Sequence, residues 1–174
     1  MHKIFFMKKV VFVGSGAIGT AVGNVLARKG IDDITLLSIE EEVVDSINNQ
    51  RLNINYFPNI KLSRNLKATT DIEILKDADV IFMAIPSTAV VGYLFDKKDY
   101  INPKAIIVNL AKGFGKGDCL IPNCLVGHFP NTLMMMKGPS FAREIINRQE
   151  TGFTLACENN ECFSEVADLF ENTN

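Results

Sequence analysis

Apolar positions along this chain fall into two alternating patterns. Short, nearly unbroken apolar runs rich in branched side chains occur at 9–13, 33–37, 79–85, 105–110 and 132–136, with shorter ones at 66–69 and 152–157. Between several of them apolar residues return every three or four positions: Val22, Val25 and Leu26 within 20–29, then Val43, Val44 and Ile47 within 40–49. The runs predict strands and the periodic stretches predict helices. Strands that are apolar at every position suit a parallel sheet covered on both faces. Thr70 or Asp71 is placed to cap a short helix at 71–75, and Pro86 to stop a strand and open the next helix at its first position. Further helices are expected from Ala142 to about Arg148 and over 162–170. This alternation predicts an α/β fold with a doubly wound, mostly parallel sheet.

The first strand runs into Gly14-Ser15-Gly16-Ala17-Ile18-Gly19, and a helix follows. Strand, Gly-x-Gly-x-x-Gly and helix in that order make a Rossmann-type dinucleotide site. The first glycine allows the turn, the second lets a pyrophosphate approach the backbone, and the third lets helix and strand pack closely. The helix N-terminus adds N–H groups and a partial positive charge. About twenty residues past the last glycine, where an acid would meet the adenosine ribose, stand Ser38, Ile39 and Glu40. Glu40 and Glu41 suit either the ribose or the dipole of the helix they open, which leaves NAD and NADP both open.

Composition narrows the classes. The 174 residues are 47% hydrophobic and 22% charged with a net charge of -2, ordinary for one soluble domain. No basic run supports nucleic-acid binding. The strongest apolar segment, 80–86, is far too short to span a bilayer, and Lys8-Lys9 interrupt the start of any secretory signal. A cytoplasmic location follows as the expectation. Residues 1–7 read as an N-terminal extension, with Met7 a candidate start, and 8–174 as the domain. Cys119, Cys124, Cys157 and Cys162 match no zinc spacing and have no histidine partner, so they are expected to be reduced thiols, and no metal site is expected.

In a doubly wound sheet the ligand lies beyond the carboxyl ends of the strands. The unusual loops here all follow strands: 14–19, Pro86-Ser87, Lys112-Gly113 and 138–142. They should converge on one edge. Lys112, among glycines at 113, 115 and 117, suits a phosphate or a polarised carbonyl oxygen, or is a solvated loop lysine. Ser140 sits where it could cap the next helix, while Gly138 and Pro139 suggest a backbone shaped for close approach. Tyr56 and Phe57 lie in the polar connection 51–67, placed either to cover an adenine or to pin the loop.

Tyr56-Phe57-Pro58, 66–71, Ala84-Ile85-Pro86-Ser87, Leu110-Ala111-Lys112-Gly113 and Gly138-Pro139-Ser140-Phe141-Ala142 follow the glycine motif in an order that resembles the bacterial NAD(P)-dependent glycerol-3-phosphate dehydrogenases. The resemblance covers the chain from Lys8 onward. It implies hydride transfer between a nicotinamide and sn-glycerol 3-phosphate or dihydroxyacetone phosphate, in glycerophospholipid biosynthesis. It assigns cofactor contacts to Gly14, Gly16, Ala17, Ile18, Gly19, Tyr56, Pro86, Lys112 and Ala142. Substrate contacts fall to Lys112, Gly138 and Ser140, with Lys112 stabilising the oxygen on which charge develops.

Two positions depart from the family. Ile18 stands where an aromatic is usual, and Leu37-Ser38-Ile39 stands where a Trp-x-Arg-like segment is usual. Loss of that arginine removes the partner of a 2′-phosphate and points to NAD over NADP. The family also continues into a helical domain carrying the general acid/base lysine and the groups that grip the substrate phosphate. This chain is therefore expected to be the cofactor half, binding NAD(P)(H) but turning over slowly by itself. The rival readings are a ketopantoate or hydroxyacid reductase cofactor domain and a non-catalytic NAD(H)-binding module. Oligomeric state is not set by the sequence, and a homodimer is the assembly considered.

Overall fold

The strands form where branched, apolar residues run without interruption: β1 Val10–Val13, β2 Ile34–Leu37, β3 Leu66–Thr69, β4 Val80–Met83, β5 Ile106–Asn109, β6 Leu133–Lys137 and β7 Thr154–Ala156. The structure is a computed structural model describing residues 8–31, 33–115 and 120–173; the extension read at 1–7 and Cys119 lie outside the described residues. The sheet order is β3-β2-β1-β4-β5-β6-β7, parallel throughout except for β7, which runs antiparallel to β6. From β1 the chain winds out through β2 and β3, then returns to β4 on the other side. The carboxyl ends of β1 and β4 thus flank the point where strand order reverses.

Alternation along each strand explains why the runs are apolar at every position. Phe12, Ile34, Leu36, Phe82, Val108 and Met134 enter one core with α1 (Ala17–Lys29), whereas Val11, Val13, Ile81, Met83 and Ile107 enter the other, with α3 (Ser87–Asp96). Phe12 and Phe82 stack across the β1–β4 pair with ring centroids 4.6 Å apart. Full burial of side chains of this size contributes about 1.5–3 kcal/mol each.

Several boundaries differ from the sequence reading. Helix α1 starts at Ala17 rather than Thr20, because Gly16 is extended and its carbonyl already accepts from Thr20 N at 2.9 Å. The helix expected over 40–49 is α only as α2 (Glu41–Asp45) and widens to a π-turn over Ser46–Gln50. There the Ser46 hydroxyl turns back 3.0 Å from the Val43 carbonyl, a local bond that competes with the α pattern. Asn48 in this turn covers the outer edge of β3, giving and accepting one 2.9 Å bond with the Ala68 backbone. Asp71, not Thr70, caps the next turn, which is 3-10 over Ile72–Asp77.

Pro86 is the residue before α3, with ψ near 140°, and so stands one position earlier than expected. Helices α4 (Ile121–Leu125) and α5 (Ala142–Ile146) follow, the former without a periodic signal in the sequence. The last helix, α6 (Asn160–Phe170), begins two residues early because Asn159 caps it. Cys157 and Cys162 are free thiols, but Cys124 is disulfide-bonded, a correction to the expectation of reduced cysteines. Among the described residues no helix is long and apolar enough to cross a membrane, and no three potential metal ligands cluster.

Candidate functional site

The four loops picked out in the sequence follow β1, β4, β5 and β6, which are neighbours in the sheet, and contacts link them in that order. Gly14, at φ 110°, lies so close to the turn after β4 that a Cβ there would sit 2.7 Å from the Ala84 carbonyl oxygen. A Cβ on Gly113 would lie 3.7 Å from the Ser87 hydroxyl, which joins the loop after β5 to the start of α3. The Lys112 ammonium donates to the Ser140 carbonyl at 3.3 Å, joining β5's loop to β6's. The predicted convergence is present.

Within the first loop the three glycines differ. Gly19 is required by the protein itself, since a Cβ there would lie 2.2 Å from the Gly14 carbonyl. Gly14 is required by its φ and by Ala84. Gly16 has neither reason: its backbone is extended, and a Cβ would meet only the Tyr56 ring, at 3.9 Å. The space beside Gly16 is therefore left open rather than filled by the fold. Ala17, Ile18 and Gly19 open α1, which no side chain caps and whose first turn carries no acid. Their N–H groups and the helix dipole face that space with positive partial charge.

A buried polar network holds the loop in shape. Ser15 and Ser38 share a 2.7 Å hydroxyl bond, tying the glycine loop to the end of β2. Asn53, fully buried, donates to the Ser15 carbonyl and to Thr20 Oγ1, both at 2.8 Å, and accepts from the backbone N–H of Asn55 and Tyr56. It therefore fixes both the glycine loop and the turn that carries Tyr56. The sequence reading did not single out Asn53, and its only local signal is a polar residue opening an aromatic-bearing turn. The two adjacent aromatics have separate jobs: Phe57 is buried and pins the turn, whereas Tyr56 is half-exposed over Gly16.

At the tip of β2, Ser38 is buried while Ile39 is 96% exposed. Asn55 Nδ2 donates to the Glu40 carboxylate at 3.2 Å, which holds that acid beside the Tyr56 turn. Across the edge, Lys112 lies 5.1 Å from the centre of the Phe141 ring, a cation–π contact worth about 0.5–1 kcal/mol at an exposed site. Ser140 does not cap α5; it is buried and its hydroxyl donates to the Gly152 carbonyl at 2.7 Å. The close approach expected at Gly138 is to the chain's own backbone, since a Cβ there would lie 2.2 Å from the Gly152 carbonyl. Ala142 begins α5, and Pro86 lies between the turn after β4 and α3.

A family described as the NAD-dependent glycerol-3-phosphate dehydrogenase N-terminus matches residues 9–163. The chain belongs to this family. The glycerol-3-phosphate dehydrogenase [NAD(P)+] of Leptospira biflexa is 37% identical over 95% of this chain and 51% of its own length. The enzyme of that name from Bacillus subtilis is 34% identical over 97% of this chain and 50% of its own. The crystal structure of glycerol-3-phosphate dehydrogenase from Coxiella burnetii superposes with a TM-score of 0.88 at 28% identity, over 97% of this chain and 52% of that one. The chain spans about half the length of the curated relatives it matches. Membership in the glycerol-3-phosphate dehydrogenase N-terminal family agrees with the Rossmann-type sheet and the glycine loop at its switch point.

Proposed function

We propose that residues 8–174 are the cofactor-binding half of an enzyme that interconverts sn-glycerol 3-phosphate and dihydroxyacetone phosphate with NAD(P)(H). The observation that carries this reading is Gly16, the one glycine of its motif that internal packing leaves unexplained, set at the N-terminus of an uncapped helix. The residues present fit a dinucleotide. In this reading the N–H groups of Ala17, Ile18 and Gly19 and the open backbone at Gly14 and Gly16 receive the pyrophosphate. Tyr56, Pro86 and Ala142 line the rest of the cofactor path.

A bound nicotinamide supplies the hydride that a protein side chain cannot. Lys112 lies at a strand end, steadied by the Ser140 carbonyl and the Phe141 ring, and stabilises the substrate oxygen that gains negative charge. Gly138 and Ser140 shape the backbone around the phosphorylated triose. Their side of the cleft is held by the bond from Ser140 to Gly152.

The reading favours NAD. No lysine or arginine stands among Ser38, Ile39, Glu40 and Glu41, and a 2′-phosphate near the Glu40 carboxylate would meet like charge. The cytoplasm is the proposed location. By itself the chain binds cofactor and turns over poorly. Fluorescence titration with NADH and NADPH tests this: saturable NADH binding about tenfold or more tighter than NADPH, a difference of about 1.4 kcal/mol, is the expected result. Failure of both to bind at millimolar concentration overturns the cofactor reading, and tighter NADPH binding overturns the preference.

A further inference from the structure

Lys137 ends β6 with a charge after the apolar run Leu133-Met134-Met135-Met136. Side chains alternate along the strand, so Met134 and Met136 enter the core against α1, and Lys137 shares the other face with Leu133 and Met135. The parallel register pairs Asn109 with Met135. Continued by two residues, it brings Lys137 level with Ala111, next to Lys112.

The two lysines are bound crosswise. The Lys137 ammonium donates to the Ala111 carbonyl, and the Lys112 ammonium donates to the Ser140 carbonyl, so each reaches into the loop that carries the other. Among the described residues neither has a carboxylate partner; the ion pairs there join Lys8 to Glu165, Lys9 to Asp77 and Lys76 to Glu73. Burial holds the Lys137 ammonium below the ordinary lysine range, because it loses water without gaining an opposite charge. A half-buried cation with donors to spare and no counter-charge is stabilised by an arriving anion.

We infer that Lys137 is a second anion-binding residue of the cleft, placed beside Lys112 to hold the phosphate of a small phosphate monoester. The inference rests on the reading of this cleft as one that takes a phosphorylated triose. On this half of the cleft two ammonium groups at neighbouring strand ends take separate tasks: Lys112 faces the reacting oxygen, and Lys137 supplements the other groups that grip the dianion. A lysine suits that task as a compact point charge with several donors.

The test is NMR of the lysine side-chain methylene signals in this chain with NADH present, titrated with sn-glycerol 3-phosphate, inorganic phosphate and, as the uncharged control, glycerol. The Lys137 signal is expected to shift saturably with both phosphates and not with glycerol. Lys137→Met should weaken phosphate binding about tenfold or more, the size of one charge-assisted hydrogen bond. Lys137→Arg should retain most of it, and both variants should bind NADH as the parent does.

A Lys137 signal that stays still while that of Lys112 moves overturns the inference and leaves the functional reading standing. So does a Lys137→Met variant that loses thermal stability but binds phosphate unchanged, which would reduce Lys137 to a partner for the Ala111 carbonyl. Absence of any lysine shift overturns it as well, and the NADH titration in the same samples then shows separately whether the cofactor reading survives.

Discussion

The glycine loop after β1 and the paired lysine loops after β5 and β6 lie on one edge of the sheet but are held in opposite ways. In the glycine loop the chain satisfies itself: at Gly14 and Gly19 any Cβ would fall within 3 Å of a backbone oxygen, and Ser15, Thr20, Ser38 and Asn53 bond one another. At the lysine end, two ammonium groups rest on carbonyls without a carboxylate, next to an exposed Phe141. One region is finished before any ligand arrives, and the other leaves two ammonium groups without a counter-charge among the described residues. The contrast separates residues that shape a site from residues that act in it.

The sharpest way to break the finished region is Gly19→Ala. The added methyl would lie 2.2 Å from the Gly14 carbonyl, with rigid backbone on both sides, so helix and strand must separate. The expected cost is about 3 kcal/mol, the upper end of the usual range for overpacked sites, and thermal unfolding followed by circular dichroism should show a strongly lowered transition. A near-parental melting temperature would contradict the packing argument.

Gly16→Val separates shape from action within the same loop. Its Cβ has room and its backbone is extended, so stability should change by no more than about 0.5–1 kcal/mol, as at other uncrowded positions. NADH binding should nevertheless be lost, because the branched side chain fills the space left beside Tyr56. Parental NADH affinity in this variant would place the cofactor elsewhere.

Asn53→Ala should produce an intermediate effect. It leaves the Ser15 carbonyl and Thr20 hydroxyl short of a donor and frees the Tyr56 turn, for about 1–3 kcal/mol. At roughly 2–4 °C per kcal/mol for a domain of this size, the melting temperature should fall by several degrees, with weaker NADH binding. Unchanged affinity with lowered stability would make Asn53 a packing residue only.

The smallest effect concerns the lysine end. Burial lowers the Lys137 pKa in the folded chain, while the unfolded chain keeps the ordinary value and so binds more protons between the two. Stability should therefore rise with pH through that alkaline window, up to the ordinary lysine pKa. Urea midpoints measured across the window should show this rise in the parent chain, and Lys137→Met should flatten it. An identical slope in both would mean that Lys137 is no more desolvated folded than unfolded.

The local pattern of the chain already determined the parallel strands, the glycine turn and the edge on which Lys112 lies, because β-branched runs, a glycine spacing and strand-end positions are short-range signals. Even so, Ser46 diverted α2 into a wider turn, and the short α4 lacked the length over which periodicity can be read. Only the folded chain decided which glycine is open to a ligand, since Gly14 answers to Ala84, 70 residues away in the sequence, and Gly16 answers to nothing closer than a ring at 3.9 Å. The same holds for Asn53, which reaches Ser15 across 38 residues, and for Lys137, which meets Ala111 across 26. Their roles arise from hydrogen bonds between loops that the sheet brings level, and such a bond leaves no periodicity along the chain.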